Sequence, residues 1–209
     1  MRVPWVVGVG GASGTPYAAA VLGGLLDAGQ AVDLVVSRAA RLTLLDETGV
    51  AWHDDEASLQ RWTGRSGDVR FWTPGDLAAG PSSGSYPTQG MVVVPASTAG
   101  VAGIALGLSK DLLQRAADVT LKERRPLVVV PREAPLARAT LVHLLALHDA
   151  GAVVLPASPA FYGAPRTVAD LVDMIAGKVL DMLGVPHDLA PRWSGELGAA
   201  RRREEQPPG

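Results

Sequence analysis

Residues 3–40 read VPWVVGVGGASGTPYAAAVLGGLLDAGQAVDLVVSRAA, and this stretch decides the fold. Val3 to Val9 is a short, continuously apolar run that ends in glycines, the pattern of a strand buried on both faces. Pro16 to Ala28 then carries small and aliphatic residues at helical spacing, and Ala31 to Val36 repeats the buried-strand signature. A strand, a glycine turn, a helix and a second strand form one unit of a parallel sheet, because parallel neighbours need a crossover of about a dozen residues or more.

The signature recurs at Met91 to Val94, Leu127 to Val130 and Ala152 to Leu155, so five buried strands are predicted. Helical stretches fall at Arg38 to Glu47, Thr98 to Leu106, Lys110 to Leu121, Leu136 to His148 and Val168 to Leu183. Ser109 and Thr167 stand where a hydroxyl can cap the helix that follows. The alternation gives an α/β fold: a doubly wound, mostly parallel sheet in a Rossmann-like, flavodoxin-like three-layer sandwich.

Val50 to Gly90 breaks the rhythm, with Trp52, Trp62, Trp72 and the turn-rich GPSSGSYP at Gly80 to Pro87. It reads as a functional excursion or a partner-binding flap. The 209 residues suit a single domain over 1–195, and 196–209, ending RRREEQPPG, read as a disordered tail.

Composition narrows the chemistry. With 47% apolar and 19% charged residues the chain is globular, and the apolar excess fits a buried subunit surface. Nineteen Lys and Arg against 21 Asp and Glu leave no basic excess to neutralise a nucleic-acid backbone. Cysteine is absent, which removes disulfides and thiolate chemistry, and His53, His143, His148 and His187 are too scattered for a metal pair. The longest uncharged-looking stretch, near Leu77 to Ser109, is broken by prolines and glycines, so no membrane span is predicted. No targeting segment stands out, and the expected location is the cytoplasm.

Ligands of open α/β sheets bind beyond the carboxyl ends of the strands. Polar residues follow every predicted strand: Ser13, then Ser37, then Ser97 and Thr98, then Arg132 and Glu133, then Ser158 and Tyr162. Any one serine is read most simply as a helix cap, but several at one sheet edge favour a phosphate or other anion. The glycine loop is neither named fingerprint. Ser13 stands where the third glycine of GxGxxG belongs, no GK[ST] follows, and the second predicted strand is followed by Ser37 rather than an acid, which argues against a dinucleotide and suits a mononucleotide.

These residues resemble a known family, the UbiX flavin prenyltransferases. The resemblance runs through GASG at Gly11 to Gly14, SRAA at Ser37 to Ala40, ETG at Glu47 to Gly49, SSGS at Ser82 to Ser85 and PAST at Pro95 to Thr98. It continues in QRAADVTLKERRPLVVVPREAPL at Gln114 to Leu136, GAVVLPASPAFY at Gly151 to Tyr162 and DLVD at Asp170 to Asp173. It implies an enzyme that joins a dimethylallyl group from dimethylallyl monophosphate to N5 and C6 of reduced FMN, without metal, giving prenylated FMN for UbiD-type decarboxylases. It also implies a homo-oligomer, typically a dodecamer.

Residue by residue, the resemblance assigns FMN binding to Gly11, Ala12, Ser13, Ser37, Ser97, Thr98, Ala99, Gly100 and Arg132. Dimethylallyl phosphate falls to Tyr162, Lys178, Lys122 and Arg132, helped by Ser83 and Gly84, and the catalytic set to Glu133, Glu47, Ser13 and Lys122. Cations there would stabilise the charge that develops on a departing phosphate, and an acid such as Glu133 would protonate it. Without the resemblance, Lys122 reads as a solvated helix end, Glu47 as a surface carboxylate and Tyr162 as a loop-packing aromatic.

Two departures bear on substrate handling: Leu77 stands where many relatives have Trp, with Trp72 a candidate replacement, and Lys178 stands where Arg is usual, losing bidentate geometry. Other differences are Gly10, where some relatives carry Ser or Thr, and Lys110-Asp111, where some carry Asn-Asn. Two alternatives remain open. One is an FMN-dependent cysteine-type decarboxylase of the same fold, although no His precedes His53 and its Met-Asn motif is missing. The other is a non-catalytic FMN carrier, which would keep Ser13, Ser37 and Arg132 but have no use for Glu133, Lys122 and Tyr162.

Overall fold

A computed structural model describes residues 2–161, 163–190 and 192. Six strands, all parallel, form one sheet in the order β3-β2-β1-β4-β5-β6. They are β1 (Trp5–Val9), β2 (Val32–Val36), β3 (Val69–Trp72), β4 (Gly90–Ala96), β5 (Leu127–Pro131) and β6 (Val153–Val154). The helices are α1 (Thr15–Asp27), α2 (Arg38–Thr48), α3 (Glu56–Thr63), α4 (Thr98–Ala105), α5 (Leu112–Lys122), α6 (Arg138–Asp149) and α7 (Val168–Leu183).

Side chains alternate across the sheet, as a period of two demands. Val7, Val9, Leu34, Val36, Val92 and Val128 pack in one core with α1, α2, α3 and α7, while Val6, Val35, Met91, Val93 and Val129 pack in a second core with α4, α5 and α6. The result is the three-layer sandwich predicted from the alternating strands and helices.

The structure corrects that reading in four places. The 50–90 segment is not a plain excursion: it contains α3 and the edge strand β3, so the sheet has six strands rather than five. Its tryptophans are not an aromatic flap. Trp52 and Trp62 are buried in the first core, edge to face with centroids 5.7 Å apart, and the Trp72 Nε1–H donates to Asp33 Oδ1 at 3.0 Å. Trp72 is thereby committed to the β2–β3 junction and does not replace the aromatic that Leu77 lacks. The cap of α5 is Asp111, whose carboxylate accepts from the Gln114 N–H, whereas Ser109 lies outside the helix with φ of 47°. The last strand is a two-residue, partly exposed edge strand rather than a run buried on both faces. Thr167 does cap α7, in a reciprocal capping box with Asp170.

The strand order changes direction between β1 and β4, since β1 leads to β2 on one side while β4 adds on the other. Loops leaving neighbouring strands in opposite directions open a crevice at that point. Close approach there depends on glycine: a Cβ on Gly10 would sit 2.6 Å from the Pro95 carbonyl oxygen, and one on Gly11 would sit 2.3 Å from the Ala39 Cβ. Larger residues would push β4 and the first turn of α2 away from the loop.

Candidate functional site

A cavity of about 450 Å³ lies at this switch point, within the ordinary range for a small-molecule site. Gly10 and Gly11 line it after β1, Ser37 to Ala39 after β2, and Ser97, Ala99 and Gly100 after β4, with Lys110, Asp111 and Gln114 from the start of α5. The Ser37 hydroxyl accepts from the Ala40 N–H at 3.1 Å, and the Ser97 hydroxyl accepts from the Gly100 N–H at 3.1 Å. Both serines are therefore helix caps and cavity residues at once. The remaining first-turn N–H groups of α2 and α4 keep their positive ends toward the cavity.

The third glycine-loop helix behaves differently. α1 has Gly14 at its N-cap, in a left-handed conformation and with no side chain to cap. Glu47, from the last turn of α2, does the capping instead. One of its carboxylate oxygens accepts from the Gly14 N–H at 2.9 Å, and the other from the Thr15 N–H at 2.8 Å and the Thr15 hydroxyl at 2.6 Å. Burial would raise the carboxyl's pKa, but these bonds, with one from the Ser13 hydroxyl, outweigh it and hold Glu47 below the usual carboxylate value. The anion at the α1 N-terminus is thus the protein's own carboxylate. With its lone pairs engaged by these donors, Glu47 fixes the loop. No local signal marks this contact, because the partners lie more than thirty residues apart.

Arg132 closes the loop from the other side: its Nε–H donates to the Ser13 carbonyl oxygen at 2.8 Å. Glu133 stands next to it at the end of β5, exposed, with a carboxylate oxygen accepting from the Ala134 N–H at 3.0 Å. Ala12 is buried behind the loop, and Thr98 opens α4 beside Ser97. Gly11, Ala12, Ser13, Ser37, Ser97, Thr98, Ala99, Gly100 and Arg132 therefore gather at one sheet edge, with Glu47 and Glu133 beside them.

Lys122, Ser83 and Gly84 do not join them within one subunit. Lys122 ends α5, eleven residues long and running away from the cavity, so about 16 Å of helix separates it from the mouth. It pairs with Glu123 and lies against Gly84, where an added Cβ would meet both side chains. Ser83 and Gly84 share that opposite edge: Arg125 donates to the Gly84 carbonyl at 2.8 Å and the Tyr86 carbonyl at 2.9 Å, and the Arg115 Nε–H donates to the Ser82 carbonyl at 3.0 Å. Lys178 is exposed midway along α7. Tyr162 lies outside the described residues. Among the described residues no cluster of metal-ligating side chains occurs, and no helix is long and apolar enough to cross a membrane.

Residues 1–180 match the family described as Flavoprotein. A curated relative from Streptomyces coelicolor, "Flavin prenyltransferase UbiX", is 63% identical over 95% of this chain and 99% of its own length. Among solved structures, AnUbiX (PadA1) in complex with FMN and dimethylallyl pyrophosphate is 37% identical with a TM-score of 0.84, covering 94% of this chain and all of that one. A dodecameric FMN-dependent UbiX-like decarboxylase from Escherichia coli O157:H7 is 40% identical, with the same TM-score, over 92% of this chain and all of its own. Fold, glycine-loop geometry and these likenesses agree, and the chain belongs to the Flavoprotein family and, within it, to the flavin prenyltransferases called UbiX.

Proposed function

We propose that the protein transfers the dimethylallyl group of dimethylallyl monophosphate to N5 and then C6 of reduced FMN, releasing phosphate. The observation that carries this reading is the convergence of the glycine loop, braced by Glu47 and Arg132, and two serine-capped helix N-termini on one cavity of about 450 Å³. The donor set fits FMN: helix N-termini for a phosphate, exposed loop amides for a flat polar ring, and no acid at the end of β2 to select a dinucleotide. Reduced FMN, when bound, supplies the nucleophilic N5.

The chain's own residues do the rest. Ser37, Ser97, Thr98 and the backbone of Ala99 and Gly100 hold and orient the flavin, and Gly11 to Ser13 set its distance from β1. As the allylic C–O bond breaks, its electron pair leaves with the phosphate, and Arg132 stabilises the added charge. Glu133, exposed just beyond β5, hands that phosphate a proton in this reading. Lys122, Ser83, Gly84, Lys178 and Tyr162 complete the phosphate side when brought by neighbouring copies of the chain. This favours a homo-oligomer, for which we propose the dodecamer. Exposed Leu42 and Leu45 on α2, and Leu141 and Leu145 on α6, supply apolar surface for such contacts. The product would serve a UbiD-type decarboxylase in the cytoplasm.

Anaerobic incubation with reduced FMN and either dimethylallyl monophosphate or its diphosphate, followed by mass analysis of the released flavin, tests the reading. A gain of one C5H8 unit supports it and identifies the donor, whereas tightly bound but unmodified flavin with both donors returns the protein to the carrier alternative. Glu133→Gln is expected to keep FMN binding and lose about 100-fold in turnover.

A further inference from the structure

Two cations on the cavity wall have no part in the roles above. Arg38 is the first residue of α2, and Lys110 immediately precedes the cap of α5. Among the described residues neither side chain has a hydrogen bond or ion pair, whereas the nearby Arg41 and Arg115 pair with Asp54 and Asp118 at 2.6 and 2.7 Å. The one carboxylate in the cavity lining, Asp111, is engaged with the Gln114 N–H at 2.9 Å.

The backbone of Lys110 is also held in place, with its ammonium left exposed to a ligand. Ser109, just before it, takes a left-handed φ of 47°, uncommon outside glycine and sustained only when the surroundings fix it. The fixing is visible: the Lys110 N–H donates to Gln114 Oε1 at 3.2 Å, and the Gln114 amide is wedged against Gly103, where a Cβ would come within 2.5 Å. The Leu112 N–H donates to the Pro74 carbonyl at 2.8 Å, tying the same turn to the 73–79 segment.

From this geometry we propose that Arg38 and Lys110 form a two-cation site for a phosphate monoester dianion, set between the N-termini of α2 and α4. A tetrahedral dianion matches what the site offers, a forked guanidinium, a point ammonium and unpaired first-turn N–H groups, better than a planar carboxylate with two oxygens. The inference deepens the flavin reading and rests on it. Two phosphates of that reaction share the chemistry, the 5′-phosphate of the flavin and the phosphate of the prenyl donor.

Lys110→Gln and Arg38→Gln, each with FMN and riboflavin titrated by fluorescence quenching at low and high salt, and with KM and kcat for dimethylallyl monophosphate, test the site. If the flavin phosphate sits there, either variant weakens FMN binding about tenfold, flattens its salt dependence and leaves riboflavin affinity unchanged, while Lys110→Arg and Arg38→Lys largely keep FMN binding. If the donor phosphate sits there, FMN affinity holds while the donor KM rises about tenfold at nearly constant kcat. FMN affinity and donor KM both within about twofold of the unmutated protein in both variants overturn the proposal. Should the unmutated protein bind no flavin, the flavin reading falls, and inorganic phosphate then tests the pair alone: binding lost in Lys110→Gln sustains it, and no binding overturns it.

Discussion

Two carboxylates, Glu47 at the cavity edge and Asp33 beneath the β2–β3 junction, face opposite electrostatic outcomes. Asp33 is fully buried and accepts only from side chains, the Trp72 Nε1–H at 3.0 Å and the Tyr86 hydroxyl at 2.9 Å, the latter in turn receiving a bond from Arg70. Burial dominates there and raises its pKa. Glu47 is less buried and accepts from two backbone N–H groups as well as the Ser13 and Thr15 hydroxyls, and its pKa is lowered. Depth decides the sign at Asp33, and the number of donors decides it at Glu47. The cavity edge therefore keeps a fixed negative charge at neutral pH, while at the junction burial works against the charged form of Asp33.

The comparison breaks first at Glu47. Glu47→Ala would leave the buried Thr15 N–H and hydroxyl and the Gly14 N–H without their acceptor, at a loss of about 3 kcal/mol in urea unfolding, with FMN affinity falling more than about tenfold as the loop loosens. Asp33→Ala should take away about 2 kcal/mol by orphaning the Trp72 and Tyr86 donors, without a matching loss of FMN affinity. Equal effects of the two variants on FMN binding would dissolve the distinction.

Titration sharpens it. A carboxyl with a lowered pKa stabilises the fold above its unfolded value, near 4.3 for Glu, and that contribution disappears as pH falls through the lowered value. A carboxyl with a raised pKa does the reverse: its contribution is full below its unfolded value, near 3.9 for Asp, and weakens as pH climbs through the raised one. Urea midpoints followed against pH should show the acid limb flatten in Glu47→Gln and the limb above it flatten in Asp33→Asn. The smallest effect belongs to Ser13→Ala, which removes one of several donors to Glu47 and should lower stability by about 0.5 kcal/mol, read as a small shift in the urea midpoint.

Much of this architecture was legible in the chain. β1, β2, β4 and β5 are buried on both faces and so read as mainly aliphatic runs, broken in β2 by Asp33, and Ser37 and Ser97 sit where both capping and ligand binding require a hydroxyl. β3 escaped because an edge strand is half-buried: Val69 to Trp72 includes Arg70 and follows a glycine-rich turn. α3 is only eight residues long, and its one local mark is Asp55, whose carboxylate caps the Ser58 N–H. At the site, the residue types could be read but not their distances. The reach of Glu47 to the glycine loop and the placement of Lys122 at the far end of α5 come from packing between remote segments, for which a single sequence has no local mark.

The bond from Arg132 to the carbonyl of residue 13 is made to the main chain, not to a side chain. Any amino acid that tolerates the local backbone at position 13 would present the same carbonyl, so that tether imposes no constraint on what descendants carry there. The tether and the chemistry at position 13 can thus be altered separately. Variation at 13 can explore new hydroxyl, thiol or aliphatic contacts with a ligand while the inherited link between the first and fifth strands persists.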